Sequence, residues 1–294
     1  MRTVLVTGAT GFLGHALVIQ LLKNEGFEVV AIGGRPEDKV NTLPKHSRMK
    51  QYVLGDLFSE SFENIDTVIN CAFARSNDEA LLSQALDFTE KLIRRLEEIK
   101  VKSVINISSQ GVYQRLPIGE LSTEQSPIAP IDLYSMAKYA TEKLFNVSSI
   151  LHVTNVRLSS LMMPQRFLYF FVKKAINNEE FTVTAPKQYA SLLDVTDAAS
   201  GLTALAKIVP EERSSVYNIG IGTQYSLLDY AESVRRIGRE LCYDVKYDVS
   251  DNGLLIGAGM DCSKMIKETG WRPLVLKDEM IRNCFYLISH EKFS

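Results

Sequence analysis

Eight residues near the start, Thr7-Gly8-Ala9-Thr10-Gly11-Phe12-Leu13-Gly14, constrain this chain more than any other stretch. They join the apolar run Val4-Leu5-Val6 to an amphipathic run that begins at Phe12. A strand-to-helix turn this tight needs glycine where a Cβ would block either the bend or the approach of a diphosphate to the backbone. The helix start beyond it offers free N–H groups and the positive end of a helix dipole. We therefore read Gly8, Thr10, Gly11, Phe12, Leu13 and Gly14 as the cradle of a dinucleotide's phosphates. A structural turn that binds nothing is the other reading of so short a pattern.

Apolar periodicity extends the fold from that turn. Leu13, Ala16, Leu17 and Leu21 recur at helical spacing, and Gly26 ends the helix before a second buried strand from Glu28 to Ile32. Strand, helix and strand joined this closely make a parallel, right-handed βαβ unit. The second strand ends in Gly33-Gly34-Arg35. An acid at that tip holds a ribose 2′-hydroxyl, whereas an arginine accommodates a 2′-phosphate, so Gly34 and Arg35 point to NADP over NAD. Glu28 opens the strand and lies at the wrong end of it; Glu37 or Asp38 folding back is the alternative to Arg35.

A third strand is predicted over Gln51 to Gly55, followed by Asp56-Leu57, where the carboxylate either accepts from an adenine amino group or caps the turn. A fourth runs from Asp66 to Cys71 into Ala72 and Phe73, small backbone that passes beneath a nicotinamide ribose. A long helix follows from Ala80 to Ile99, and then a fifth strand from Ser103 to Ile107.

That fifth strand delivers Ser108, Ser109 and Gln110 to the carboxyl end of the sheet, where open α/β folds bind ligands. Downstream, Tyr134 and Lys138 stand four apart in a helix-forming segment, which sets both side chains on one face. A phenol of ordinary pKa about 10 serves as a base near neutrality only with positive charge close by. Lys138 and an oxidised nicotinamide would supply that charge, and Ser109 would hold the substrate oxygen in line.

With 294 residues, 46% hydrophobic content and a net charge of −2, the chain is of ordinary globular composition, and nothing in its charge points to nucleic acid or an anionic membrane. The four cysteines and four histidines are scattered without ligand spacing, so no metal is expected. The absence of a leader-like or long apolar stretch suggests a reducing cytoplasm.

Taken in order, these motifs resemble the extended short-chain dehydrogenases/reductases, the NAD(P)-dependent epimerase/dehydratase family. Further matches are Arg157 to Pro164, Asp194-Val195-Thr196-Asp197-Ala198-Ala199, Tyr217-Asn218-Ile219-Gly220 and Gly270-Trp271-Arg272-Pro273. The resemblance implies a Rossmann-like doubly wound parallel sheet over residues 1–158, rejoined around 191–220. It also implies a smaller C-terminal substrate-binding region over 159–294, catalysis by Ser109, Tyr134 and Lys138, and a homodimer built through long helices. It further implies a sugar or nucleotide-sugar substrate, reduced or epimerised; a cofactor-binding regulatory module without turnover is the alternative.

Departures from the family pattern narrow this. Relatives that grip nucleotide diphosphosugars carry asparagine where Ser160 stands and arginine where the chain has Tyr189-Ala190, leaving Arg166, Lys173, Lys174 or Lys187 to supply charge. Gln110-Gly111 replaces the Asp-Glu pair of the sugar 4,6-dehydratases, which disfavours elimination of water. Beyond a sixth strand, His152 to Leu158, we expect helices over Phe167 to Asn177 and Asp197 to Lys207. A third is expected over Ser226 to Gly238, opened by a Ser-x-x-Asp cap, and a last one capped by Ser263 and stopped by Gly270.

Overall fold

The computed structural model describes residues 1–34, 43–164, 166–250 and 257–291. The first half alternates strand and helix: β1 (Arg2–Thr7), α1 (Phe12–Leu22), β2 (Phe27–Ile32), β3 (Met49–Tyr52), α2 (Asp56–Ser59), β4 (Thr67–Asn70), α3 (Glu79–Glu98), β5 (Ser103–Ser109), α4 (Leu133–Asn146) and β6 (His152–Leu158). The second half holds β7 (Ser160–Leu161), α5 (Phe167–Ile176), β8 (Phe181–Val183), β9 (Tyr189–Ala190), β10 (Leu192–Leu193) and α6 (Val195–Lys207). These are followed by β11 (Val216–Ile219), β12 (Tyr225–Ser226), α7 (Leu227–Glu240), β13 (Tyr247–Val249), α8 (Ser263–Thr269) and α9 (Lys277–Glu291).

Seven strands form one parallel sheet in the order β11-β6-β5-β4-β1-β2-β3. The chain winds outward from β1 through β2 to β3, then restarts on the other side at β4. The switch point therefore lies between β1 and β4, where two loops diverge and open a crevice at the carboxyl ends of the strands. Helices cover both faces. Leu17 and Leu21 of α1 and Ala198 and Leu202 of α6 pack on one face, while Leu92 and Leu96 of α3 and Phe145 of α4 pack on the other. A separate core joins α5, α7 and α9 through Leu168, Phe171, Tyr230, Ile237, Ile281 and Phe285. No described helix is long and apolar enough to cross a membrane.

Local chemistry moves several boundaries. β3 stops at Tyr52, short of the expected Gly55, because the Asp56 carboxylate accepts from Val53 N (2.9 Å) and folds the next residues into a turn. α6 starts at Val195, two residues earlier than expected, since Asp194 caps it by accepting from Thr196 N (2.8 Å). The Ser226 capping box opens α7 as expected. Ser263 does not cap α8; Cys262 holds that position and the Asp261 carboxylate accepts from Ser263 N (2.7 Å), whereas Gly270 ends the helix at φ 72° as expected.

Candidate active site

The glycine turn closes against the first residues after β4. Gly8 sits at φ +65°, and a Cβ there would stand 2.9 Å from Ala72 N. A Cβ on Gly14 would stand 2.1 Å from Gly8 O, so α1 can approach β1 this closely only with glycine. α1 takes no side-chain cap at Gly11 and has no acid in its first turn. Its leading N–H groups are thus available to an anion, and the dinucleotide pyrophosphate expected from the sequence fits this cradle.

Beneath the turn a buried polar ladder crosses four strands. Thr7 Oγ1 donates to Asn70 Oδ1 (2.7 Å), Asn70 Nδ2 to Asn106 Oδ1 (3.2 Å) and Asn106 Nδ2 to Asn155 Oδ1 (2.9 Å). The four residues face one another in register across β1, β4, β5 and β6. Each bond is satisfied only in this register, so the ladder pins the strand ends from which the site loops depart.

A cleft of about 960 Å³ opens above that ladder. Gly8, Gly11, Phe12, Leu13 and Gly14 line one wall, Cys71 and Phe73 another, and Ser108, Ser109 and Gln110 the end of β5. Tyr134 and Lys138 reach in from α4, Ser160 and Arg166 from the opposite side. Five residues expected at the cofactor do not line it. Thr10 instead uses Oγ1 to accept from Gly34 N (3.0 Å), tying the end of β2 to the turn. Asp56 serves its own turn, Leu57 is fully buried in the core, and Ala72 packs behind Gly8. Arg35, with its NADP expectation, lies outside the described residues.

Tyr134 and Lys138 flank one ring. Tyr134 meets Phe73 edge-on at 6.1 Å, and Lys138 Nζ lies 4.0 Å from the centre of the same ring. Lys138 is buried and donates to Ile107 O (2.8 Å). Ser109 Oγ accepts from Gly111 N (3.1 Å), which leaves its own O–H to donate. Ser108 also lines the cleft, and its buried Oγ meets no hydrogen-bond partner among the described residues. Gln110 is clamped across the cleft, donating to Ser160 Oγ (3.1 Å) and accepting from Ser159 Oγ (3.2 Å).

Burial raises the Tyr134 phenol above its ordinary pKa, and the charges that oppose this rise are Arg75 and Arg166. Lys138 is not among them; its Nζ donates to the Ile107 carbonyl. Burial lowers Lys138 itself from 10.5 to about 7, opposed by Cys71 and Glu142, while burial pushes the Cys71 thiol up to about 12. Sequence reasoning missed Arg75, which sits in irregular chain beyond β4. It also missed Asp132, whose Asp-x-x-Ser cap was legible: Oδ1 accepts from Ser135 N (2.8 Å) and fixes the first turn of α4. Asn77 adds a second anchor by accepting from Tyr134 N (3.0 Å).

The Lys138 shift sets a sign for pH dependence without cofactor. Above pH 7 the folded lysine is neutral while the unfolded one stays protonated up to 10.5, so the unfolded chain binds more protons. Stability should therefore rise between pH 7 and 9 by at most about 1.4 kcal/mol per pH unit, before buried thiols reverse the trend. Thermal unfolding of wild type and Lys138→Met across this window checks it: the variant should lose that slope, and an unchanged slope contradicts the assignment.

Comparison with known proteins agrees with this fold. The model of the NAD dependent epimerase/dehydratase family matches residues 4–220. A dTDP-D-glucose 4,6-dehydratase of Dictyostelium discoideum is 26% identical over 81% of the chain and 62% of its own length. A UDP-glucose 4-epimerase of Bacillus subtilis is 22% identical over 94% of each chain. The crystal structure of a UDP-glucuronic acid 4-epimerase from Bacillus cereus, in complex with UDP-glucuronic acid and NAD, shares the fold at a TM-score of 0.82 and 20% identity, covering 99% of this chain and all of that one. With the glycine turn at a switch point, the Tyr134 and Lys138 pair in the cleft above it, and a match through β1 to β11, the chain belongs to the NAD dependent epimerase/dehydratase family.

Proposed function

We propose that this protein epimerises the sugar of a nucleotide sugar by oxidising one ring carbon and reducing it again from the other face. The observation that carries this reading is the convergence of Ser109, Tyr134 and the glycine turn on one cleft. NAD, when bound, supplies the hydride acceptor and donor. Tyr134 takes the proton from the substrate hydroxyl and returns it to the same oxygen. Ser109 donates its free O–H to that oxygen and holds it in line, and Ser108 steadies a neighbouring substrate group. The positive charge that favours the phenolate comes from Arg75 and Arg166, and Lys138, one turn along α4, holds the ribose side of the site.

Several features support this over the other chemistries of the family. Gln110 offers a carboxamide clamped between Ser159 and Ser160, with no acid beside it for elimination of water. The relatives include UDP-glucose 4-epimerases, and the neighbouring crystal structure holds NAD, so we assign NAD as cofactor and leave aside the NADP suggested by Arg35. The sheet with β11 binds the cofactor and the region after residue 158 the sugar nucleotide. Leu81, Leu133 and Met136, exposed on α3 and α4, suit pairing of two copies along these helices.

Incubation of the purified protein with NAD and UDP-glucose, UDP-N-acetylglucosamine or UDP-glucuronic acid tests this, with chromatographic separation of epimers. Conversion of at least one to its 4-epimer is expected. A protein that binds NAD and converts none of them is instead a cofactor-binding module without turnover.

A further inference from the structure

Four cationic side chains line the cleft, Arg75, Arg115, Lys138 and Arg166, against one acid, Asp132. Asp132 is already committed, since Oδ1 accepts from Ser135 N and Oδ2 from Ser135 Oγ (3.1 Å). Lys138 is directed to the Ile107 carbonyl. Arg115 lies exposed among the exposed residues Gln114 and Pro117, on the side of the cleft bordered by Gln110 and Gly111. That leaves Arg75 and Arg166. Arg75 donates to the weak acceptor Met163 Sδ (3.0 Å) and Arg166 to Leu161 O (3.3 Å), and among the described residues neither meets a carboxylate. Most of their N–H donors are therefore open to a ligand.

Setting two guanidinium groups beside one another is costly unless an anion joins them. The cost is visible in Arg166, half-buried and lowered to about 10 by burial and then by the charge of Arg75. Arg166 is also the N-cap residue of α5, whose first turn has no side-chain cap and no acid, so the helix adds its positive end.

We propose that Arg75 and Arg166 together hold a carboxylate carried on the sugar ring of the substrate, so that the protein selects a nucleotide-linked uronic acid over the neutral sugar. This rests on the nucleotide-sugar reading above and adds the chemical class of the sugar. Its position follows from the cleft, which Arg75 and Arg166 line together with Tyr134. In a sugar oxidised at carbon 4, the adjacent carbon 5 carries the carboxylate of a uronic acid, whereas the diphosphate hangs on carbon 1 across the ring.

Calorimetric titration of the NAD-loaded protein with UDP-glucuronic acid, UDP-glucose and UDP tests the pair. Wild type should bind the glucuronic acid on the order of tenfold or more tightly than the glucose, the scale of a charge-assisted bidentate contact. Arg75→Gln and Arg166→Gln should each shrink that ratio, and the double variant should bring it to about one while UDP-glucose and UDP change less than about twofold. Arg166→Lys, which keeps the charge, should retain part of the preference. Equal weakening of all three ligands would mean that the arginines hold the diphosphate and would overturn the proposal. A wild type that binds UDP-glucose without preferring the acid overturns it and leaves the nucleotide-sugar reading standing; failure to bind any of the three overturns both.

Discussion

Tyr134→Phe should bind NAD as wild type does and turn over its sugar nucleotide about 10² to 10⁴ times more slowly, the range for loss of a positioned acid-base group. The substitution deletes one oxygen. The ring keeps its edge-on packing against Phe73, and the first turn of α4 keeps its anchors at Asp132 and Asn77, so fold and cofactor cradle are untouched. The loss should fall on kcat rather than on KM, because the proton is held in transit only in the transition state. Steady-state kinetics beside a cofactor titration reads both quantities. Activity equal to wild type with normal cofactor binding contradicts the role given to the phenol.

Breaking the buried ion pair behind the site should cost about 3 to 5 kcal/mol of folding stability, because one charge is left in the interior without its partner. Arg157 on β6 grips Glu142 on α4 bidentately, with Nε to Oε1 at 3.0 Å and Nη2 to Oε2 at 2.8 Å, and both residues are at least 95% buried. The guanidinium also lies 4.7 Å from the centre of the Tyr113 ring, whose hydroxyl donates to Asn218 Oδ1 (2.7 Å) on β11. One pair therefore ties α4, and with it Tyr134 and Lys138, to the sheet. Glu142→Leu alone should show the full loss in chemical denaturation. Adding Arg157→Met to it should recover much of that loss, since a buried ion pair replaced whole by apolar side chains costs little. A single variant within about 1 kcal/mol of wild type would show that the pair does not hold α4 in place.

The sheet was legible because its signals are local. Glycines at a strand end, apolar runs of four to seven residues and helical spacing between them each read within one element. The same holds for the Tyr134 and Lys138 pair, whose meaning depends on one turn of helix. What escaped depends on chain meeting chain. Thr7, Asn70, Asn106 and Asn155 each look like an isolated polar residue at a strand, and only the lateral register makes them a ladder. Arg75 sits in a segment without periodicity, and its proximity to Arg166, 91 residues on, comes from folding alone. Leu57 shows the converse: its place after a strand suggested a ligand contact, but its apolar side chain belongs to the core. α9 did carry a signal, with Met280, Ile281, Cys284, Phe285 and Ile288 on one face, but none of the sequence motifs depends on it.

The central claim is that hydride leaves a sugar carbon and returns to it while Tyr134 handles only the hydroxyl proton. Running the epimerisation in deuterated water tests this most directly, with the product examined by mass spectrometry and NMR. The expected product carries no deuterium at the inverted carbon, since the hydrogen taken from that carbon is the one returned. Deuterium from solvent at that carbon would mean that the bond is broken by proton abstraction, and would contradict the mechanism assigned to this cleft.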